Sequence, residues 1–335
     1  MKRINKTNYM PVILGAALLS AIAITGCGSK EAEDTALRIG SLKGPTSIGL
    51  SSLMHECAAE SEPDYTFDIE ADASTLLTSM LNDEIDIALI PANAAAIWYQ
   101  KLDGDLTVLN INTLGVLYCV SDTSLEIDSV EDLAGCNIYM TGKGTTPEYV
   151  LDYILEAHGL DSQTDVNISF YSEAGEVVSM LSAADLTDTV AILPQPYVTV
   201  AEKQMDNLTT RLSLSDEWDA VTEDGAKQVT GVTVVRASYA EEHPRAIKNW
   251  IQAQSDSVNR VNADPAAASE WVVEAGIIEK APIAQAAIPY CNLTCMTSED
   301  MKTALSGYLS VLYEYDPSCI GGAMPGDDFY YMEEE

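Results

Sequence analysis

Residues 87–95 read IALIPANAA and residues 190–198 read VAILPQPYV. Each begins as a short aliphatic run, too brief for a buried helix and continuous enough for a strand buried on both faces. Each run meets a proline, Pro91 or Pro194. Proline cannot donate to a sheet ladder, so it marks the strand end. Helix-forming residues follow both prolines, over 93–101 and 196–203. The same strand–proline–helix unit, twice in one chain, predicts two domains of related design.

Working outward, each unit closes a similar series. The first half reads as strand 37–41 (LRIGS), a Gly-Pro-Thr turn, helix 47–60, strand 65–70, helix 73–82, strand 86–90 and helix 93–101. The second reads as strand 137–140 (NIYM), the loop TGKGTTP over 141–147, helix 147–158, strand 166–171, helix 174–183, strand 190–193 and helix 196–203. Strand–helix alternation of this kind predicts an α/β fold with largely parallel sheets. TLGVLYCV (113–120) and TGVTVV (230–235) are β-rich with an early glycine. They are the places for the chain to cross between domains, and Gly115 and Gly231 are the hinge candidates because glycine absorbs backbone rotation. One lobe is then 37–114 with 231–335, and the other is 115–230. From residue 246 onward the pattern is helical, with Ile247, Trp250, Ile251, Val258 and Val261 at helix spacing. Helices are also expected from Pro265 and over 299–313. The aromatic patch in the tail GDDFYYMEEE is expected to pack rather than to touch a ligand.

The N-terminus carries Lys2, Arg3 and Lys6, then an apolar run over 12–24, then Ile24, Thr25 and Gly26 before Cys27. Basic head, apolar middle and small residues at a cut site read as a secretory signal peptide over 1–26. The run is short of the ~20 residues a membrane-spanning helix needs. The cysteine after the cut resembles the lipobox of bacterial lipoproteins, which implies a lipid on Cys27 and a polar tether over 27–36. The formal net charge is −35, and cleavage would deepen it by three. So acidic a protein is disfavoured as a partner of nucleic acid or of anionic lipid surfaces. The other six cysteines, Cys57, Cys119, Cys136, Cys291, Cys295 and Cys319, form no dense framework. Buried free thiols are expected, with a local Cys291–Cys295 bridge as the alternative. No metal is expected, because His55, His158 and His243 lie far from these cysteines in sequence.

RIGSLKGPTSIGLSSLM (38–54), EIDIALIPANAAAIW (84–98), EDLAGCNIYMTGKGTTPEYVLDYILEAHGL (131–160) and AILPQPYVT (191–199) together resemble the nitrate/sulfonate/thiamine-precursor binding family. These are solute-binding lipoproteins of ABC importers. The resemblance covers nearly the whole mature chain. It implies an α/β, two-lobed type II periplasmic-binding-protein fold with two crossover hinge strands. It also implies a monomer without cofactor, partnered by a small-molecule ligand, an importer permease and the membrane through Cys27. In open α/β sheets a ligand sits beyond the carboxyl ends of the strands, where helix starts offer free N–H groups. That places Lys43, Gly44, Pro45, Thr46 and Ser47 after the first strand among the candidates. Pro91 and Asn93 follow the third strand, Thr141, Gly144, Thr145 and Thr146 lie in the second-half loop, and Gln195 follows Pro194. Thr46 and Thr145 would serve equally as helix N-caps. TGKGTTP lacks the Gly-Lys-Ser/Thr order of a nucleotide loop. Neither candidate loop contains arginine, which weakens a strict inorganic-anion reading. The expected ligand is a small organic molecule, anionic or heterocyclic. Two other readings share the pattern: a sensing lipoprotein without transport, and an enzyme of this fold such as a chorismate-dehydratase-like lyase.

Overall fold

The computed structural model describes residues 36–183, 186–222 and 225–332, so the signal peptide, Cys27 and the tether through residue 35 lie outside the described residues. The strands are β1 (Leu37–Leu42), β2 (Tyr65–Glu70), β3 (Ile87–Pro91), β4 (Thr107–Leu114), β5 (Leu117–Asp122), β6 (Asn137–Thr141), β7 (Asn167–Tyr171), β8 (Thr189–Pro194), β9 (Leu208–Ser213), β10 (Val229–Val235) and β11 (Leu293–Met296). They sort into two sheets, β11-β4-β10-β3-β1-β2 and β7-β6-β8-β5-β9. The aliphatic runs quoted above are central strands. β3 lies between β1 and β10, and β8 between β6 and β5. Ile87 to Ile90 and Val190 to Leu193 are buried throughout, as continuous apolar runs require. β2 lies at an edge, and Tyr65 to Phe67 alternate half-buried and exposed.

Both sheets are mixed rather than largely parallel. β1 runs parallel to β2 and β3, and β6 runs parallel to β7 and β8. β10 enters antiparallel to both β3 and β4, and β5 enters antiparallel to both β8 and β9. The segment read as one crossover strand over 113–120 is two. β4 ends at Leu114 in the first sheet, and β5 starts at Leu117 in the second.

The helix expected over 47–60 is broken into Pro45–Ile48 and Ser51–Ala58. The cause is distant in sequence. Ser257 donates to the Gly49 carbonyl (2.7 Å) and accepts from the Leu53 N–H (3.1 Å). Those two groups are the pair an unbroken helix would join, so the inserted hydroxyl replaces that bond. The C-terminal third is mostly helical, with helices Pro244–Ala263, Pro265–Glu274, Ala281–Ala287 and Ser298–Tyr315. β11 interrupts it and pairs with β4. Ser298–Tyr315 ties the two sheets together along one side. Its Tyr308 packs edge-on against Trp218 at 5.5 Å, and Tyr315 donates to Glu156 at 2.7 Å. Phe329 and Tyr330 of the tail are buried core residues. All six cysteines among the described residues are free thiols. Burial holds Cys119 and Cys291 up at about 12, which leaves them protonated and inert.

Candidate functional site

The carboxyl ends of β3, β6 and β8 converge between the two sheets, and an inner chamber of about 230 Å³ lies there. Pro91 and Asn93 reach it from the first sheet. Thr141, Thr146, Pro147 and Pro194 reach it from the second. The starts of β5 and β10 and the residues just before them supply Val116, Leu117, Gln228, Val229 and Thr230, and the Ser298–Tyr315 helix supplies Tyr308. The chamber shares Val116, Pro194 and Thr230 with a wider groove of about 1100 Å³. Lys43, Gly44, Pro45 and Gln195 line that groove, together with Lys203, Lys280, Glu173 and Glu279.

The sequence candidates therefore divide. Pro91, Asn93, Thr141 and Thr146 line the chamber, and Lys43, Gly44, Pro45 and Gln195 line the groove. Thr46 and Ser47 are buried and line neither cavity. Each donates its hydroxyl to the Leu42 carbonyl at 2.7 Å. Gly144 and Thr145 lie on the exposed loop. The Gly144 N–H bonds the Glu148 carboxylate, and Thr145 donates to the Gly142 carbonyl at 2.6 Å. Lys143 sits over the Phe170 ring, 5.6 Å from its centre. Gly115 is buried between β4 and β5, where the chain passes from one sheet to the other. Gly231 is buried inside β10, paired with Pro91 and Thr113, so residues 230–235 form a strand of the first sheet and not a crossover. Both glycines are closely approached. A methyl carbon on Gly115 would stand 2.2 Å from Gln228 Oε1, and one on Gly231 would stand 2.4 Å from Thr46 Cγ2.

Gln228, Thr230 and Tyr308 are site residues that sequence reasoning missed. Gln228 stands alone among AKQVTG, with no motif to mark it. Tyr308 falls on the helix expected over 299–313, where no motif marks it. Its phenol is buried, and burial pushes it well above its ordinary value of 10, against a hydrogen bond with Thr146 that pulls it down. It stays a neutral donor at physiological pH.

No charged side chain lines the chamber among the described residues. What it offers is two carboxamides, three threonine hydroxyls, one phenol and an apolar wall. Gln228 is 4% exposed and Gln195 3%. The Gln228 oxygen accepts from Ser215 at 3.1 Å, and the Gln195 oxygen accepts from Thr199 at 2.9 Å. With the oxygens so held, the amide nitrogens are the groups left to donate. Asn93 is turned the other way. Its nitrogen donates to the Cys319 carbonyl at 3.3 Å, which leaves its oxygen as an acceptor.

Three crystal structures share this architecture. An ABC transporter from Parabacteroides distasonis superposes with a TM-score of 0.75 at 20% identity, over 90% of this chain and 100% of that one. The periplasmic aliphatic sulphonate binding protein SsuA from Escherichia coli gives 0.69 at 15% identity, over 90% and 93%. The periplasmic sulfonate-binding protein SsuA from Methylobacillus flagellatus KT gives 0.63 at 14%, over 90% and 93%. Likeness at these identities carries the two-lobed fold. No curated protein matches the chain. Residues 64–275 match the NMT1-like family across β2 to β10 and the three helices beyond, and the chain belongs to that family.

Proposed function

We propose that the protein is an extracytoplasmic solute-binding protein. It captures a small molecule between two lobes and delivers it to the permease of an ABC importer, held to the membrane by a lipid on Cys27. The observation that carries this reading is the chamber at the strand ends, walled by both sheets and lined by hydrogen-bonding groups. Such a chamber lies where open α/β folds bind ligands. Its amides and hydroxyls hold a solute. No histidine, cysteine or carboxylate stands among its described lining to move a proton, which favours binding over catalysis. The structural relatives bear the names of ABC-transporter and sulphonate-binding proteins. The lobes would be 37–114 with 231–335, and 115–230. Closure would turn on the passages between the sheets, at Gly115 and just ahead of β10, with the Ser298–Tyr315 helix as the fixed side.

One experiment tests membrane attachment and capture together. Cys27→Ala should release the protein from membranes in a soluble form. A metabolite panel should then contain a solute that raises its melting temperature, by about 2.7 kcal/mol of stability at 100 times the dissociation constant. Small-angle scattering should show a smaller radius with that solute. Retention of the uncleaved precursor is the other expected result; continued membrane attachment of the variant at normal mature size would overturn the lipid anchor. A panel without effect, or an unchanged radius, would overturn capture by closure.

A further inference from the structure

The chamber differs from a site built for an oxyanion. The described chain has five arginines, and none lines the chamber. Arg38 is paired with Asp86, Arg236 with Asp83 and Asp105, and Arg260 with Glu56. Arg211 donates to Ser121 and to the Asp122 carbonyl. Arg245 also has a partner. The lysines of the wider groove do not line the chamber.

Backbone N–H groups at helix starts are the other way to hold an anion. The Ala92–Lys101 helix begins at the chamber with no acid in its first turn, whereas the Thr146–Ala157 start is blunted. Pro147 opens the Thr146–Ala157 helix and lacks an N–H. Glu148 sits in the same first turn, its carboxylate on the Gly144 N–H. A carboxylate there already uses the positive dipole end and would repel a second anion. An anion entering this chamber would give up its water for one helix start and no charged side chain.

What remains is a matched set of neutral donors and acceptors. Gln228 is more than nine-tenths buried, and its oxygen is held by Ser215. The residue lines the chamber, and with its oxygen on Ser215 its amide nitrogen is the group left to donate. Asn93 also lines the chamber, and with one of its N–H groups on the Cys319 carbonyl its oxygen remains available as the complementary acceptor. Thr141 and Thr230 add hydroxyls that serve in either sense. The apolar wall is Val116, Leu117, Val150 and Pro194. A volume of about 230 Å³ is below the ~300–1,000 Å³ of drug-sized pockets.

We infer that the chamber takes an uncharged molecule bearing a carbonyl beside an N–H, as in a small amide, lactam or urea, and rejects carboxylates and sulfonates of the same size. Gln228 donates to the ligand carbonyl, and Asn93 accepts from its N–H. Tyr308, kept neutral, closes the polar set. A site built from buried hydrogen-bonding groups rejects an analogue that leaves those groups unpaired. This inference rests on the solute-binding reading above.

The test uses matched pairs that differ in charge: nicotinamide and nicotinate, benzamide and benzoate, uracil and orotate, methanesulfonamide and methanesulfonate. Dissociation constants are read by ligand-observed NMR and thermal shift on the purified protein, its Gln228→Glu variant and its Asn93→Asp variant. At least one uncharged member should bind ten times or more tightly than its anionic counterpart. Both variants should weaken that binding tenfold or more. Circular dichroism confirms the fold, and if Gln228→Glu does not fold, the half-buried Asn93→Asp carries the test. An anionic member that binds as tightly as its neutral partner, and is weakened by the same variants, overturns the uncharged class and leaves solute capture standing. Binding insensitive to both variants overturns the chamber as the site, and no binding by any pair overturns the amide class; either leaves solute capture to the metabolite panel above.

Discussion

Replacing Gly115 with alanine would put a methyl carbon 2.2 Å from Gln228 Oε1, 2.2 Å from Ser215 Oγ and 2.5 Å from Gln228 Cδ. Ordinary contact needs about 3.4 Å or more, so both side chains must retreat by roughly 1 Å. They are bonded to each other at 3.1 Å, and Gln228 is buried. Retreat therefore strains the packing and breaks a buried hydrogen bond. Overpacking costs ~1–3 kcal/mol, and the lost bond costs ~0.5–1.5 kcal/mol. Stiffening of the unfolded chain offsets ~0.4–1 kcal/mol. The expected net loss is about 1–4 kcal/mol, at roughly 2–4 °C of melting temperature per kcal/mol. The assay is urea unfolding followed by circular dichroism, on G115A, Q228A and the double variant. Q228A opens space for the methyl group, so the double variant should be more stable than additivity allows, by about 0.5–3 kcal/mol. Gly175→Ala is the control. Its methyl group would meet Tyr197 at an ordinary 3.7 Å, inside the Ala174–Leu181 helix. It should stabilise by ~0.4–1 kcal/mol. G115A within ~0.5 kcal/mol of the parent, or strict additivity, would refute the close-packing account of Gly115.

Two further predictions concern carboxylates. The His158 ring bonds Glu131 at 3.0 Å and, with backbone and Ser129 bonds, lowers its pKa from the ordinary 4.5 to about 2. A depressed acid contributes stability above its unfolded pKa, and that contribution is lost as pH falls through the folded value. Melting temperature should fall between about pH 4.5 and 2, and Glu131→Gln should flatten part of that fall; identical profiles would exclude the contact as a contributor. Asp152 is shifted the other way, first by burial and then by Glu148, Glu156 and Asp161, against a bond from Ser162. Its buried Oδ1 makes no hydrogen bond among the described residues. A raised acid costs stability above its unfolded pKa, and the cost fades as pH falls. Asp152→Asn should therefore raise the urea midpoint at pH 7 and raise it less at pH 4, and a lower midpoint at pH 7 would contradict the reasoning.

The residues that made the fold legible are those whose meaning is local. IALIP and VAILP announced central strands because a sheet buried on both faces needs an unbroken apolar run. YTFDIE announced a strand by its alternation, and the structure places that strand, β2, at an edge. Ile247, Trp250, Ile251, Val258 and Val261 repeat at helix spacing, and all are buried in the Pro244–Ala263 helix. The candidate site was partly legible for the same reason. Pro91, Asn93, Thr141, Thr146 and Gln195 sit directly at strand ends, and chain order alone carries them to a cavity. Thr46 and Ser47 sit at such an end too, yet their hydroxyls turn back to Leu42.

What the sequence by itself determined was the succession of elements and the strand ends that border the chamber, because strand and helix periods are written in neighbouring residues. The tertiary structure alone decided the strand order and the antiparallel entry of β5 and β10. It alone decided the break that Ser257 makes in a helix some 200 residues away. It also decided that a buried Gln228 and Tyr308 complete a chamber without charge. Pairing, register and burial depend on groups far apart in the chain, and no local pattern carries the free energy of bringing them together.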